Sequence, residues 1–521
     1  MQRPRRSQAT TAIAAGHRPG MAHAPIEAYV LVASFLTGAI VLVVEILGTR
    51  VVSPYYGASV YVWSALIGVT LGSLTVGYLA GGWAADRWPP LAAFALETTA
   101  AALHLLLVPW LRESVLVATT ALGLKTGSLV SAAVLFGPPL VLLGMTGPSA
   151  VRLVTGDFTV LGRGVGRVYG VSTFGSMLGA ILTGFVLIPG FAVATLLIAC
   201  AVALLGVGGA GLLLARLPLG GGAALLVAIL AAVGAARGPS LPPHVRYVGN
   251  SFYGELKVID TPVHRVLLID GVDNGFVDRV SMEPRAPYIA AFDYLPAARP
   301  SARRALCIGL GAGGVPRAFH GRGIATDVVE IDAEIVRLAR DWLGFPTDIR
   351  VIVEDGRTYV ERTDARYDFV VLDAFHAETH PVHLFTREFF ARVNEVLAPG
   401  GILAINMAGI ADGEGSAAWR SVHRTLAERF TQVRVFAAPT PPNASTRVTN
   451  LFVVASQEAL PTPTGAPALA ALAATEIAPP RDDAAVVLTD DYNPVDDLHR
   501  AALVGWREAV IRNARALLLV Q

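Results

Sequence analysis

Seven long apolar runs in the first 236 residues constrain this chain more than any other feature. They are Tyr29–Leu47, Val60–Ala85, Leu91–Leu111, Leu129–Met145, Val168–Ile188, Phe191–Ala215 and Gly220–Ala236. A bilayer core takes about 20 mostly apolar residues per helix, so each run predicts a membrane-crossing helix. Ser114–Leu124 is too short to cross and reads as an interfacial helix. Charge divides the chain at the same place. Residues 26–236 carry 14 Asp, Glu, Lys and Arg in 211 positions, whereas the last 285 residues carry 63. Only the second figure approaches the roughly 25% of soluble domains. The expected organisation is an N-terminal tail (1–25), a transmembrane domain of about seven helices (26–236) and a Pro- and Gly-rich linker (237–249). A small β domain (250–300) and an α/β domain (301–521) follow.

Glycines recur in the apolar runs at small-xxx-small spacing, at Gly68, Gly72, Gly77 and Gly81 and again at Gly175, Gly179 and Gly184. That spacing predicts close helix approach. Glu45 stands near the end of the first run with Arg50 close behind. Snorkelling or pairing with Arg50 is the expectation, a proton or amine site the alternative. Cys200 and Cys307 lie far apart in apolar surroundings, which excludes a disulfide framework and a cysteine zinc site. A net charge of +1 without a polybasic run beyond the three arginines of residues 3–6 argues against nucleic acid.

Strand-like runs alternate with helical segments in the second half. Glu255–Asp260 and Arg265–Ile269 form a hairpin around residues 261–264. Ala305–Gly309, Thr326–Ile331, Arg350–Val353, Phe369–Leu372 and Ile402–Ile405 read as strands, with helices at Ala333–Leu343 and Arg387–Leu397 between them. Val433–Ala437 and Leu451–Ala455 would finish the sheet. Such alternation predicts a mostly parallel sheet wrapped by helices. Its first strand runs into Gly309-Leu310-Gly311-Ala312-Gly313-Gly314, and Glu330 lies 21 positions after Gly309 at the end of the next strand. Glycines at a strand-to-helix turn with an acid at that distance suit a nucleotide whose ribose hydroxyls the acid binds. Asp355, followed by Gly356, and Asp373 close two further strands at the same edge. A crevice lined by three carboxylates suits a cationic ligand such as an adenosyl sulfonium better than a pyrophosphate; a dinucleotide remains the alternative.

These residues resemble the polyamine aminopropyltransferases, the spermidine and spermine synthase family, and in particular its membrane-fused, transporter-like bacterial branch. The resemblance rests on "YGELKVIDT" and "RVLLIDG" in the β domain. It continues through "ALCIGLGAGG", "VVEID", "VEDGR", "YDFVVLDAF", "PVHLFTREFF" and "LAPGGILAIN", with "GTRVVSPYYGAS" to "GGWAADR" in the membrane half. It implies a class I S-adenosylmethionine-dependent methyltransferase-like, Rossmann-like fold with a small N-terminal β domain. It also implies decarboxylated S-adenosylmethionine as co-substrate, no metal, and an amine acceptor. By resemblance Asp373 orients and deprotonates the amine and Tyr288 helps orient it. Gly309, Gly311, Gly313, Glu330, Asp355 and Gly356 hold the adenosyl ligand, with Glu330 on ribose and Asp355 on adenine.

The family pattern is broken in several places. Its Tyr-His-acid triplet reads Tyr288-Ile289-Ala290, Gly254 and Asn274 replace two glutamines, and Ala312 replaces an Asp of the glycine loop. Ala312 would leave room for intact S-adenosylmethionine, which makes methyl transfer one alternative. A transporter or sensor with a nucleoside-binding soluble half is another. Candidate amine contacts are Asp270, Asn274, Glu378 and Asp491, the last in an Asp490-Asp491-Tyr492-Asn493-Pro494 motif. His376, His380 and His383 read as a substrate-facing loop; a metal site is disfavoured because Pro381 interrupts any shared helix. The expected partners are a small amine and the lipid bilayer, with no nucleic acid and homodimerisation left open.

Orientation is contested within the sequence. Arg3, Arg5, Arg6, Arg18, Arg87, Arg152, Arg163, Arg167 and Arg216 fall on one side of the seven spans. Arg50, Arg112, Lys125, Arg237 and Arg246 fall on the other. The positive-inside rule then favours a cytoplasmic N-terminus, which would put the soluble half outside. Starting at Met21 leaves five basic residues on each side. Both adenosyl donors are made in the cytoplasm, so the expectation is a multi-pass cell-membrane protein with a cytoplasmic catalytic domain.

Overall fold

The computed structural model describes residues 24–500 except 58–59, 156–160, 237–241, 376–378, 414, 439–447 and 479–484, together with 502, 503 and 505. Each apolar run is the middle of a helical rod. The rods are α1 (Ala24–Tyr56), α2 (Val60–Arg87), α3 (Pro90–Thr119), α4 (Gly123–Val154), α5 (Leu161–Leu182), α7 (Val193–Leu214) and α8 (Pro218–Ala236). A π turn (Thr183–Leu187) and the short α6 (Ile188–Gly190) extend α5 without a break. The stretch expected as an interfacial helix is instead the end of α3, a 3-10 turn and the first residues of α4. That turn, at Thr120–Leu122, reverses the chain, with Gly123 at φ +75°. Large apolar side chains face outward along the rods, with Leu79 73%, Phe185 75% and Leu219 90% exposed. Among the described residues, five helical stretches, one of them α3 and α4 together, are long and apolar enough to cross a membrane.

The glycines of the apolar runs separate into two groups. A Cβ on Gly175 would collide with the Phe35 carbonyl oxygen of α1, and one on Gly179 would lie 2.6 Å from the Ala39 oxygen. Gly77 and Gly81 meet Val141 and Met145 of α4 equally closely, whereas Gly68, Gly72 and Gly184 face open space. Small residues therefore set the α1–α5 and α2–α4 contacts, as close backbone packing requires.

The second half opens with a four-stranded antiparallel meander, β1 (Val245–Asn250), β2 (Glu255–Asp260), β3 (His264–Ile269) and β4 (Val272–Asp278). β1 starts inside the stretch expected as linker, because residues 245–250 pair in register with β2. Asp270 and Gly271, at φ +46° and +76°, form the two-residue turn between β3 and β4. Asp-Gly suits such a turn because both positions need a positive φ. A 3-10 segment (Pro287–Asp293) and α9 (Tyr294–Ala298) lead to the large sheet.

That sheet is built from β5 (Arg304–Ile308), β6 (Ala325–Glu330), β7 (Arg350–Val353), β8 (Tyr367–Leu372), β9 (Leu397–Ile410), β10 (Gln432–Ala437), β11 (Val448–Ser456) and β12 (Glu476–Ile477). Their order is β7-β6-β5-β8-β9-β11-β10-β12. The first five are parallel and the last three antiparallel. Helices α10 (Gly314–His320), α11 (Ala333–Trp342), α12 (Gly356–Arg362), α13 (Arg387–Val396), α14 (Ala417–Ala427), α15 (Pro467–Ala473) and α16 (Val495–Leu498) complete the half. Alternate residues of β5 supply two cores, Ala305 and Cys307 to one and Leu306 and Ile308 to the other. Sheets covered on both faces require this double burial. The strand order reverses between β5 and β8, and in such sheets a ligand crevice opens beyond the strand ends at that switch point.

Replacing Gly175 with Ala should wedge α1 from α5 and lower stability by about 1–3 kcal/mol, the usual range for overpacking. Gly72→Ala, which faces open space, should leave the melting temperature of the detergent-solubilised protein unchanged. Equal melting temperatures for the two variants would contradict this packing.

Candidate active site

A cavity of about 390 Å³ opens at the switch point, within the range of small-ligand sites. Its floor is the glycine loop after β5. Gly309 has φ +98°, and a side chain there would collide with the Asp373 carbonyl oxygen; Gly311, at φ +51°, lies beneath the Asn274 carbonyl. Only glycine combines this backbone geometry with so close an approach. Gly313, at φ +76°, precedes α10. A Cβ on Gly356, which also lines the cavity, would overlap Ile308.

Glu330 closes β6. Its carboxylate accepts the Leu310 and Asp332 backbone N–H groups, each at 2.9 Å, and so ties β6 to the glycine loop. Burial pushes it up to about 7 against those donors. Asp355 caps α12, accepting the Thr358 N–H at 2.9 Å and the His383 Nε2 contact at 2.8 Å. Burial would raise its pKa, but Thr358 and His383 hold it below the usual carboxylate range.

Asp373, the expected base, lies just beyond the end of β8. Asn406 Nδ2 donates to one carboxylate oxygen at 2.8 Å and the Tyr288 hydroxyl to the other at 3.2 Å. Asn450 of β11 in turn donates to Asn406 Oδ1 at 3.2 Å. Burial raises the Asp373 pKa in spite of the two donors. Burial and the adjacent Asp373 raise the Tyr288 phenol, which therefore stays protonated as a donor. Asp273 lines the cavity from β4, and its carboxylate accepts the Gly275 N–H at 2.7 Å. Its charge adds to that of Asp373 in raising the Tyr288 phenol.

The expected catalytic pair and all the expected adenosyl contacts except Gly313 thus line one cavity, joined by Asn274. Asp270 does not line it. Its carboxylate accepts the Glu255 N–H at 2.9 Å, a structural use in the β3–β4 turn, and the neighbouring Asp273 takes the place in the wall. Asp491 is solvent-exposed and absent from the lining, and its neighbour Asp490 pairs with Arg357 at 2.6 Å. Glu378 and His376 lie outside the described residues. His383 reaches the cavity, but His380 is buried in a ring contact with His499 at 4.7 Å. Ala312 is buried beside Gly275 and does not line the cavity. Sequence reading missed Asp273, Asn406 and Asn450. A polar residue inside the apolar run "ILAINMA" was the available signal for Asn406, since buried amides need partners.

A spermine/spermidine synthase domain matches residues 257–462. A polyamine aminopropyltransferase of Streptococcus uberis is 31% identical over 204 residues, covering 37% of this chain and 70% of that protein. This chain belongs to the spermine/spermidine synthase family. A probable polyamine aminopropyl transferase of Bifidobacterium longum is 33% identical over 178 residues, 33% of this chain and 40% of that one. An N-terminal histidine N-methyltransferase of Emericella nidulans is 34% identical over 154 residues, 29% of this chain and 27% of that protein. The chain thus spans well under half the length of the last two relatives. In this family member the helical half lies outside the matched residues.

The raised Glu330 has a consequence for stability. An acid whose native pKa exceeds its unfolded value destabilises the fold when it ionises. In the ligand-free protein this contribution grows as pH rises from about 4.5 through about 7. The melting-temperature difference between Glu330→Gln and wild type should therefore move in favour of the variant between about pH 5 and pH 8. A difference that does not change with pH would refute the assignment.

Proposed function

We propose that the protein is a membrane-anchored aminopropyltransferase that uses decarboxylated S-adenosylmethionine and a di- or polyamine and releases methylthioadenosine. The observation that carries this reading is the Asp373 carboxylate, held by Tyr288 and Asn406 beside a nucleoside-sized cavity. A primary amine, with a pKa near the roughly 10.4 of lysine, arrives protonated. A desolvated carboxylate with a raised pKa is a stronger base than one in water and can accept that proton. The freed nitrogen lone pair attacks the methylene beside the sulfonium. The carbon–sulfur bond breaks, and its electron pair returns to sulfur as the neutral thioether. Tyr288 and Asn406 keep Asp373 aimed at the attacking nitrogen. Asp273, which lines the same cavity, suits a second ammonium and compensates for the missing triplet acid.

The outward apolar belt of α1 to α8 supports a bilayer as the solvent of the helical half, because water would not tolerate so continuous an exposed apolar surface. The catalytic half is placed in the cytoplasm on the ground that the adenosyl donor is made there. A cysteine introduced at the exposed Val280 should then resist a membrane-impermeant maleimide in intact cells and react after lysis. Labelling of intact cells would overturn the orientation and weaken the substrate assignment.

Purified protein given decarboxylated S-adenosylmethionine and putrescine should release methylthioadenosine, and Asp373→Asn should lower turnover by at least about 100-fold, as general-base loss does. Asp273→Asn should raise the KM for the diamine more than it lowers kcat. Production of S-adenosylhomocysteine from intact S-adenosylmethionine would instead make the protein a methyltransferase.

A further inference from the structure

The loop Asn250–Glu255 lies between the two halves of the molecule and touches both. On its upper side the Tyr253 ring lines the nucleoside cavity. Ser251 is buried; its Oγ accepts the Tyr253 and Gly254 N–H groups at 3.0 and 3.3 Å, and its side chain opposes the burial that raises the Asp332 carboxyl. Asp332 donates its own N–H to Glu330, the expected ribose ligand.

On its lower side the loop is held by the ends of the helices. Arg50 of α1 donates to the Phe252 carbonyl at 2.9 Å. Asn250 donates to the Phe191 carbonyl, in the turn between α6 and α7, at 3.1 Å. Arg112 of α3 lies 3.8 Å from the Glu255 carboxylate, which also pairs with Lys257 at 2.8 Å. Burial opposes that charge, but Lys257, Arg112 and Arg50 outweigh it, and the carboxyl is held below its ordinary range. A buried carboxylate surrounded by three cations from two halves fixes their relative position, because withdrawing one cation leaves charge poorly compensated at low dielectric.

We propose that Arg50 and Arg112 are positioning residues for the nucleoside site: the helical half completes the cavity by pinning the loop that carries Ser251 and Tyr253. The helical half is then a structural part of the binding site as well as an anchor. Neither arginine lines the cavity, so their effect reaches the ligand only through the loop. The inference deepens the nucleoside reading of this site, and its first test does not depend on any ligand.

Hydrogen exchange followed by mass spectrometry on the full-length protein in detergent provides that test. In the Arg50→Ala/Arg112→Ala double variant, the peptide covering residues 250–256 should exchange at least fivefold faster, with β5 and β8 peptides unchanged. The Arg50→Lys/Arg112→Lys variant should restore most of the protection. Unchanged exchange at 250–256 would overturn the proposal. So would an equal acceleration throughout the catalytic half, which would mean that the arginines serve only general stability. Methylthioadenosine, used as the binding probe, should bind the double alanine variant at least fivefold more weakly than wild type, and equal affinity would overturn the link to the site. Wild-type protein that does not bind methylthioadenosine would sink the nucleoside reading, while the exchange data would still decide the role of the arginines.

Discussion

The site depends on how closely β5 approaches the end of β8. Gly309 passes so near the Asp373 backbone that no side chain fits between them. That contact places the glycine loop, and the Glu330 carboxylate that grips it, within one small cavity of the Asp373 carboxylate. A larger residue at Gly309 would push the glycine loop away from Asp373. The parallel strand order puts four strand ends on one edge, and this single close contact makes them one site.

The polar groups around Asp373 form a graded series. Asn450 supports Asn406, Asn406 and Tyr288 support Asp373, and the carboxylate remains harder to ionise than in water. The donors favour the charged form and burial disfavours it, and burial wins. A fully stabilised carboxylate would be a poor base, and an unsupported one would be poorly aimed. Asp273, in the same lining, adds a second carboxylate to the cavity wall.

The helical rods, the parallel strands and the strand-end acids were legible because each follows from local periodicity or a local turn. The β1 strand was not, since Val245–Asn250 gains its identity only by pairing with β2. The candidate amine contacts were the least legible part. Asp270 was read as a ligand because it is an acid in a familiar motif, yet the positive-φ turn it occupies directs its carboxylate to the backbone of Glu255. The glycines show the same limit: their spacing marks possible contacts, but only helix phase separates the packed Gly175 from the open Gly72.

The sequence by itself determined which segments can leave water, where the parallel sheet lies and which carboxylates end its strands. All three are written in residues close together in the chain. Only the tertiary structure decided that Asn406, Asn450 and Tyr288 meet Asp373, that Asp273 rather than Asp270 faces the cavity, and that Arg50 and Arg112 reach the loop of Tyr253. Those contacts join residues up to about two hundred positions apart, as Arg50 and Phe252 are. They arise from how sheets and helices stack, which no local pattern encodes.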